Sequence, residues 1–347
     1  MKETILLVGH GSRDPGGNGN REVEAFADRW RQRHPDWNIQ VCFIEFPDRL
    51  VEEGLALATR EAERVIVVPL ILNAAGHVKM ELPEHVEAAR ACFPACEFIY
   101  VPHLGSEAPV LKILKRRLHR TMNQLDWPDP QTTGVILLAR GSSDPMANGE
   151  VAKMARWLFE ASRHDLVDIA FTGVTHPRLE GVVQRQRLLG MTQVIVLPYY
   201  LFTGTLIERI KRQVEHLRRQ YPRLRFALGD YFGFEPEIFE LLDRRVSEGR
   251  AGRGSLPCDG CKYRELARDE DHPHGHHEDH GHHVHHPGHH GTDPHCVHAG
   301  HPVGEHPACH ASHPKGHQSG LQSGLQSSHQ GGPRPGPVIP EQDRGQA

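Results

Sequence analysis

No apolar run in this sequence of 347 residues is long enough to cross a bilayer; the longest, "VIVVPLILNAAG" at 65–76, is short and broken by a proline. The opening "MKETILLVGHG" reads as a buried strand and lacks the cleavage region of a secretory signal, so the cytoplasm is the expected location. An excess of charge of either sign is also lacking. The formal net charge is -4 with His neutral, which gives no field for gathering nucleic acid or an anionic membrane. An anionic ligand must therefore be held by local Arg and Lys. Seven cysteines, at 42, 92, 96, 258, 261, 296 and 309, are too few and too scattered for a disulfide framework, so reduced thiols or metal ligands are expected. The Gly-rich "GHGSRDPGGNGN" lacks the Lys-Ser/Thr of a P-loop and the spacing of a dinucleotide fingerprint, and "GHGSR" is not a nucleophile elbow. Beyond residue 270 Ile, Leu, Val and Phe nearly vanish, while 19 of the 28 histidines accumulate. Such a segment cannot bury a core and is expected to be disordered without a ligand.

What is present, over residues 1–246, is a regular alternation of short apolar runs with longer amphipathic ones, the pattern of βα units in a parallel sheet. Strands are expected near 4–8, 39–44, 65–70 and 97–101, with helices near 20–33, 48–62, 80–92 and 106–124. A second set follows, with strands near 134–139, 167–172, 193–198 and 225–229 and helices near 149–163, 178–189, 206–220 and 235–247. The halves also echo each other in sequence. "TILLVGHGSRDP" returns as "GVILLARGSSDP", "IQVCFIEF" as "VDIAFTGV" and "RVIVVPLILNAAGHV" as "QVIVLPYYLFTGTLI", at offsets of 128 to 130. The expected fold class is α/β: two tandem flavodoxin-like domains, 1–126 and 133–248, each a parallel sheet flanked by helices, joined by the Pro-rich "DWPDPQTTG" and followed by a CxxC and His-rich tail, 249–347.

In an open parallel sheet, functional side chains collect beyond the carboxyl ends of the strands. His10 follows the first strand, Glu45 ends the second and His77 follows the third. With a strand order of 2-1-3-4 these strands are neighbours, and two imidazoles and a carboxylate meet on one rim, a ligand set suited to cobalt, iron, nickel or zinc. Each residue also has an ordinary reading: His10 as a turn residue, Glu45 as the partner of a nearby Arg, His77 as the cap of a helix starting near Lys79. The duplication weighs against these. The matching positions in the second half are Arg140, Gly173 and Thr205, so all three are lost together, which argues for one site in one half. His103, in "VPHLG", is expected to be structural, and Cys42, Cys92 and Cys96 to be core or surface thiols.

"LLVGHGSRDP", "FIEF" and "VPLILNAAGHVKMELP", with the tandem repeat to about residue 246, resemble the sirohydrochlorin cobaltochelatases and ferrochelatases, class II chelatases that insert a divalent metal into a tetrapyrrole without ATP. A doubled chain with a His-rich tail is similar to the long form of the cobalt enzyme of anaerobic cobalamin biosynthesis. Short forms carry one unit and pair as homodimers, so the resemblance implies a monomeric fused pseudo-dimer. It further implies that His10 and His77 coordinate the incoming metal, that His10 also accepts pyrrole protons, and that Glu45, Leu72, Asn73, Ala74, Ala75 and Gly76 line the tetrapyrrole pocket. The implied substrates are sirohydrochlorin and Co2+, with Fe2+ or Ni2+ as alternatives. Because the macrocycle is a polycarboxylate, guanidinium and ammonium groups are expected around the cleft, with Arg13, Arg140, Arg209 and Lys79 as candidates.

The tail opens with "CDGC" (Cys258, Cys261) and continues through His276, His277, His282, His283, His285 and His286, a composition that chelates late first-row ions. Cys296 and Cys309, or a second chain, could complete a four-cysteine set, and long-form relatives can carry an iron-sulfur centre near such a CxxC. A metal reservoir is the expected role, and a solvated linker with adventitious affinity is the alternative. For the whole chain, the competing reading from another class is a metal storage or delivery protein.

Overall fold

The computed structural model describes residues 2–13, 16–46, 49–60 and 62–253. The tail positions Cys258, Cys261, His276, His277, His282, His283, His285, His286, Cys296 and Cys309 lie outside the described residues. The first half runs β1 (Glu3–Gly9), α1 (Asn18–Arg33), β2 (Asn38–Phe43), α2 (Val51–Thr59) and β3 (Arg64–Pro69). A π-helical turn (His77–Glu81) then leads into α3 (Leu82–Cys92), β4 (Glu97–Tyr100) and α4 (Ala108–Met122). The second half runs β5 (Thr133–Ala139), α5 (Pro145–Glu160), β6 (Val167–Phe171), α6 (Leu179–Leu188), β7 (Gln193–Pro198), α7 (Thr205–Gln220), β8 (Arg225–Leu228) and α8 (Pro236–Arg250). The largest shift from the sequence expectation at a helix start is α5. It begins four residues early because Pro145 takes the first helical position and Asp144 caps the helix, its Oδ1 accepting from Met146 N at 2.8 Å.

All pairings are parallel, in the orders β2-β1-β3-β4 and β6-β5-β7-β8. The central strands are buried on both faces, which is why "ILLV" and "VIVV" are apolar without alternation. Leu6 and Val8 face an outer core closed by α2 and α3, and Ile136 and Leu138 face its counterpart under α6 and α7. Ile5, Leu7, Val135 and Leu137 face a single inner core shared by the halves, filled by Phe26 and Trp30 of α1, Ile113 of α4, Met154 of α5 and Leu242 of α8.

The last helix of each half is exchanged. α4 packs on β7 and β8, and α8 packs on β3. A methyl group added at Gly249 would sit 2.7 Å from Val101 Cγ1, so glycine lets α8 approach the first sheet, while Thr121 Oγ1 lies against Gly229 at the equivalent place on the other side. Two matching clamps fix the exchange. Arg117 pairs with Glu235 at 2.7 Å and donates to the Phe232 carbonyl at 3.1 Å. Arg245, 128 positions on, pairs with Glu107 at 2.8 Å and donates to the Leu104 carbonyl at 3.4 Å. The two repeats fall within one compact unit.

Candidate metal centre

Backbone hydrogen bonding continues past the strand ends and brings the rim residues together. Ile44 N donates to Gly9 O at 3.0 Å and Glu45 N to His10 O at 3.1 Å, while Leu70 N donates to Val8 O at 2.8 Å. The second half repeats this: Thr172 N to Ala139 O at 2.9 Å, Gly173 N to Arg140 O at 3.0 Å and Tyr199 N to Leu138 O at 2.8 Å. His10 therefore corresponds to Arg140 and Glu45 to Gly173 in backbone geometry as well as in sequence. Gly11 and Gly141 both have left-handed backbones, φ 91° and 87°, and a Cβ on Gly141 would meet the Gly173 carbonyl at 2.4 Å. The glycine of "GHGS" and "RGSS" is a requirement of this turn. Phe46 and Val174 also share a left-handed backbone, φ 72° and 62°, which is costly for bulky or β-branched residues. The turn holds Phe46 partly exposed with the Arg13 guanidinium 4.3 Å above its ring.

The His10 and His77 rings lie perpendicular with centroids 4.8 Å apart. Their hydrogen bonds fix their tautomers. Arg140 can only donate, so its Nη1, 3.0 Å from His10 Nε2, uses that lone pair; the His10 proton then sits on Nδ1, which donates to the Gly11 carbonyl at 3.1 Å. Burial, then His77, then Arg140 lower the His10 pKa, so the ring is neutral at pH 7. Nδ1 of His77 donates to the Glu81 carboxylate at 2.7 Å, which turns Nε2 to within 3.8 Å of Glu45 Oε1. An imidazole nitrogen and a carboxylate oxygen facing each other are the donor types that bind a divalent cation between them. Among the described residues, however, no group of three His, Cys, Asp or Glu side chains is drawn together as a metal cage. The expected trio shares one rim as an open set, with the His10 lone pair in the hand of Arg140.

Across the seam the second half presents a basic wall. Arg140 and Arg209 both act electrostatically on Tyr200, whose hydroxyl bonds Thr172 at 2.8 Å, and Arg178 Nη1 lies 3.9 Å from where a Cβ on Gly173 would be. Lys79 does not stand free: it pairs with Asp144 of the second half at 2.5 Å. In the loop expected to line a pocket, Leu72 packs in the inner core, Ala74 against the outer one, Asn73 Oδ1 is buried without a hydrogen-bond partner, and the space around a Cβ on Gly76 is open. Both ring nitrogens of half-buried His103 are shielded from solvent and unpartnered, and burial lowers its pKa to about 4.

One counterpart needs refinement. β3 and β7 match at an offset of 129 and so do buried Val78 and Ile207, whereas buried Leu82, Val86 and Ala89 match Ile210, Val214 and Leu217 at 128. The first half holds one extra residue between Val78 and Leu82, and the π-helical turn absorbs it. His77 thus matches Thr205 when counted from the helix start and Leu206 when counted from the strand; neither is a metal ligand. Sequence reasoning missed this turn, along with Glu81, Arg178, Asp144 and Phe46. Only Glu81 left a signal, the i,i+4 spacing of "HVKME".

A family model, CbiX, matches the chain twice, over residues 4–121 and 134–249. The chain belongs to the CbiX family. Among curated proteins, this CbiX-family chain is 38% identical over 263 residues to a sirohydrochlorin cobaltochelatase of Priestia megaterium, covering 76% of this chain and 85% of the relative. It is 30% identical over 270 residues to a sirohydrochlorin ferrochelatase of Bacillus subtilis, covering 77% of this chain and all of the relative. Among solved structures, SirB from Bacillus subtilis with Fe3+ superposes with a TM-score of 0.62 at 29% identity, covering 74% of this chain and 99% of that one. No helix among the described residues is long and apolar enough to cross a membrane.

Proposed function

We propose that this chain is a sirohydrochlorin chelatase that inserts Co2+ into the macrocycle without ATP, releasing two protons, in the anaerobic route to cobalamin, and that it works as a monomeric pseudo-dimer with one site. The observation that carries the reading is the asymmetry of the seam. One half offers two imidazoles and a carboxylate, and the equivalent places in the other half are guanidinium, glycine and threonine or leucine. Family membership supports chelatase chemistry, and the cobaltochelatase of Priestia megaterium, at 38% identity, supports cobalt. The ferrochelatase of Bacillus subtilis, similar over its whole length, supports Fe2+ as the alternative ion.

The residues suit the reaction. Metallation trades two pyrrole protons and the ion's waters for four ring nitrogens, so it needs a base of near-neutral pKa that also holds a metal loosely. His10 and His77 would take the ion with Glu45, and His10 would accept protons as the ion leaves for the ring. Glu81 would hold His77 in the tautomer whose Nε2 faces the ion, as second partners of ligating imidazoles do. Arg13 on its aromatic shelf, with Arg140, Arg178 and Arg209 opposite, would receive the carboxylates of the macrocycle. The His-rich tail would store metal for the site.

The test is the absorption change of sirohydrochlorin on mixing with chain and Co2+ or Fe2+. Acceleration with Co2+ greater than with Fe2+ is expected; no acceleration with either ion would leave only storage or delivery. His10→Ala and His77→Ala should each cost at least about a hundredfold, within the usual contribution of general acid-base groups, while Thr205→Ala stays near wild type. Equal losses in both repeats would refute the single site. Removal of the residues after Arg253 should leave turnover unchanged at saturating metal and slow it when metal is scarce.

A further inference from the structure

The contact between Arg140 and His10 has no obvious use in a site that merely binds metal. Nε2 of His10 is the ring atom facing the other half, and it is spent as an acceptor for Arg140 Nη1 at 3.0 Å while Nδ1 is engaged by the Gly11 carbonyl. Both ring nitrogens of a proposed metal ligand are therefore occupied by the protein itself. Arg140 cannot lose its proton, and a metal ion cannot share the lone pair it holds. The second cation of the seam is engaged as well, Lys79 with Asp144 at 2.5 Å.

We propose that Arg140 is a gate on the metal-binding lone pair: in this structure its guanidinium holds His10 Nε2, and a carboxylate of the tetrapyrrole draws it off, so that arrival of the macrocycle opens the site to the metal. The proposal rests on the chelatase reading above. The direction of exchange follows from the acceptors. A neutral imidazole offers the guanidinium one lone pair, whereas a carboxylate offers a full opposite charge and two oxygens that fit the guanidinium fork in a bidentate pair. The movement is easy, because Arg140 is exposed. The gate also explains why the position equivalent to His10 is a guanidinium rather than any polar residue: the two lie across the seam from each other at the ends of equivalent strands, β1 and β5. It favours an order in which ion and macrocycle meet in the cleft, and it keeps the empty cleft from holding an ion tightly.

The experiment uses the full chain and Co2+ alone, without tetrapyrrole, followed by the visible absorption of bound Co2+. Wild type, Arg140→Ala, His10→Ala and the double variant are titrated, and binding that depends on His10 is the difference between chains with and without it, which cancels the contribution of the tail. Loss of one competing hydrogen bond should raise His10-dependent Co2+ affinity about tenfold in Arg140→Ala. The gain should persist at 1 M salt, where the screening length is about 3 Å. Metal-free sirohydrochlorin should bind Arg140→Ala about tenfold more weakly than wild type. Unchanged or weaker Co2+ affinity overturns the gate, as does a gain that disappears at 1 M salt, which would be charge repulsion alone, or undiminished sirohydrochlorin binding. Failure of the wild type to metallate sirohydrochlorin would instead remove the functional reading, and the macrocycle as trigger with it, while the Co2+ titration still reports whether Arg140 caps His10.

Discussion

At the end of β1 stands a neutral imidazole, and at the equivalent end of β5 a guanidinium; the two are hydrogen-bonded to each other across the seam. The chemical difference between the halves is concentrated in such single residues. Glu45 against Gly173 removes a carboxylate without moving the backbone, since both amides donate to the equivalent carbonyl, of His10 and Arg140. The pH dependence belongs to this scale. His10 has its pKa lowered from 6.5 first by burial, then by His77 and Arg140. A lowered histidine pKa keeps the ring neutral, with its lone pair available, to more acidic pH than a free histidine would. The acid limb of kcat/KM, which reports the free enzyme, is therefore expected below pH 6.5, and Arg140→Ala, by removing one lowering influence, should move it upward. A limb well above 6.5 in the wild type would assign the proton-accepting step to another group.

Among the elements, the π-helical turn is where the two repeats diverge in length rather than in residue type. The extra residue between Val78 and Leu82 is taken up by a widened turn, which carries His77 and Glu81 one above the other. Deleting Met80 would restore the spacing of α7, in which Ile207 and Ile210 are buried three apart. The core positions remain satisfied, whereas Glu81 then follows His77 by three residues instead of four, and its carboxylate leaves the place where it holds His77 Nδ1. The expected result is a folded protein, with thermal unfolding and far-UV dichroism close to wild type, that has lost most of its metallation rate. A deletion variant with undiminished rate would show that His77 needs no π-helical turn.

For the molecule as a whole, the exchange of α4 and α8 makes each repeat the support of the other. Residues 1–126 alone would leave α4 without β7 and β8, β3 without α8, and Arg117 without Glu235. A half-chain expressed alone should therefore be insoluble or should pair with a second copy, each lending its α4, whereas co-expression with residues 127–253 should give a soluble complex. A well-folded monomeric half, seen by sedimentation and thermal unfolding, would contradict this. The mass of the full chain by sedimentation checks the monomeric state in the same experiment.

The alternation of apolar and amphipathic runs, the duplication and the loss of three ligand types in one copy were all legible in the sequence, because burial on both faces of a parallel sheet and repetition leave periodic marks. So were His10, Glu45 and His77, because topology puts strand ends on one rim whatever the packing. What depended on the third dimension is what lies between the repeats: Arg140 on His10, Lys79 on Asp144, and the two arginine clamps. These pairs join residues 65 to 138 positions apart, and only a particular docking of the two sheets brings them within hydrogen-bonding distance. The sequence alone therefore determined two sheets and a group of His10, Glu45 and His77 confined to the rim of one of them; the tertiary structure decided that the other half reaches across to hold His10, because contact across a seam depends on how the surfaces meet.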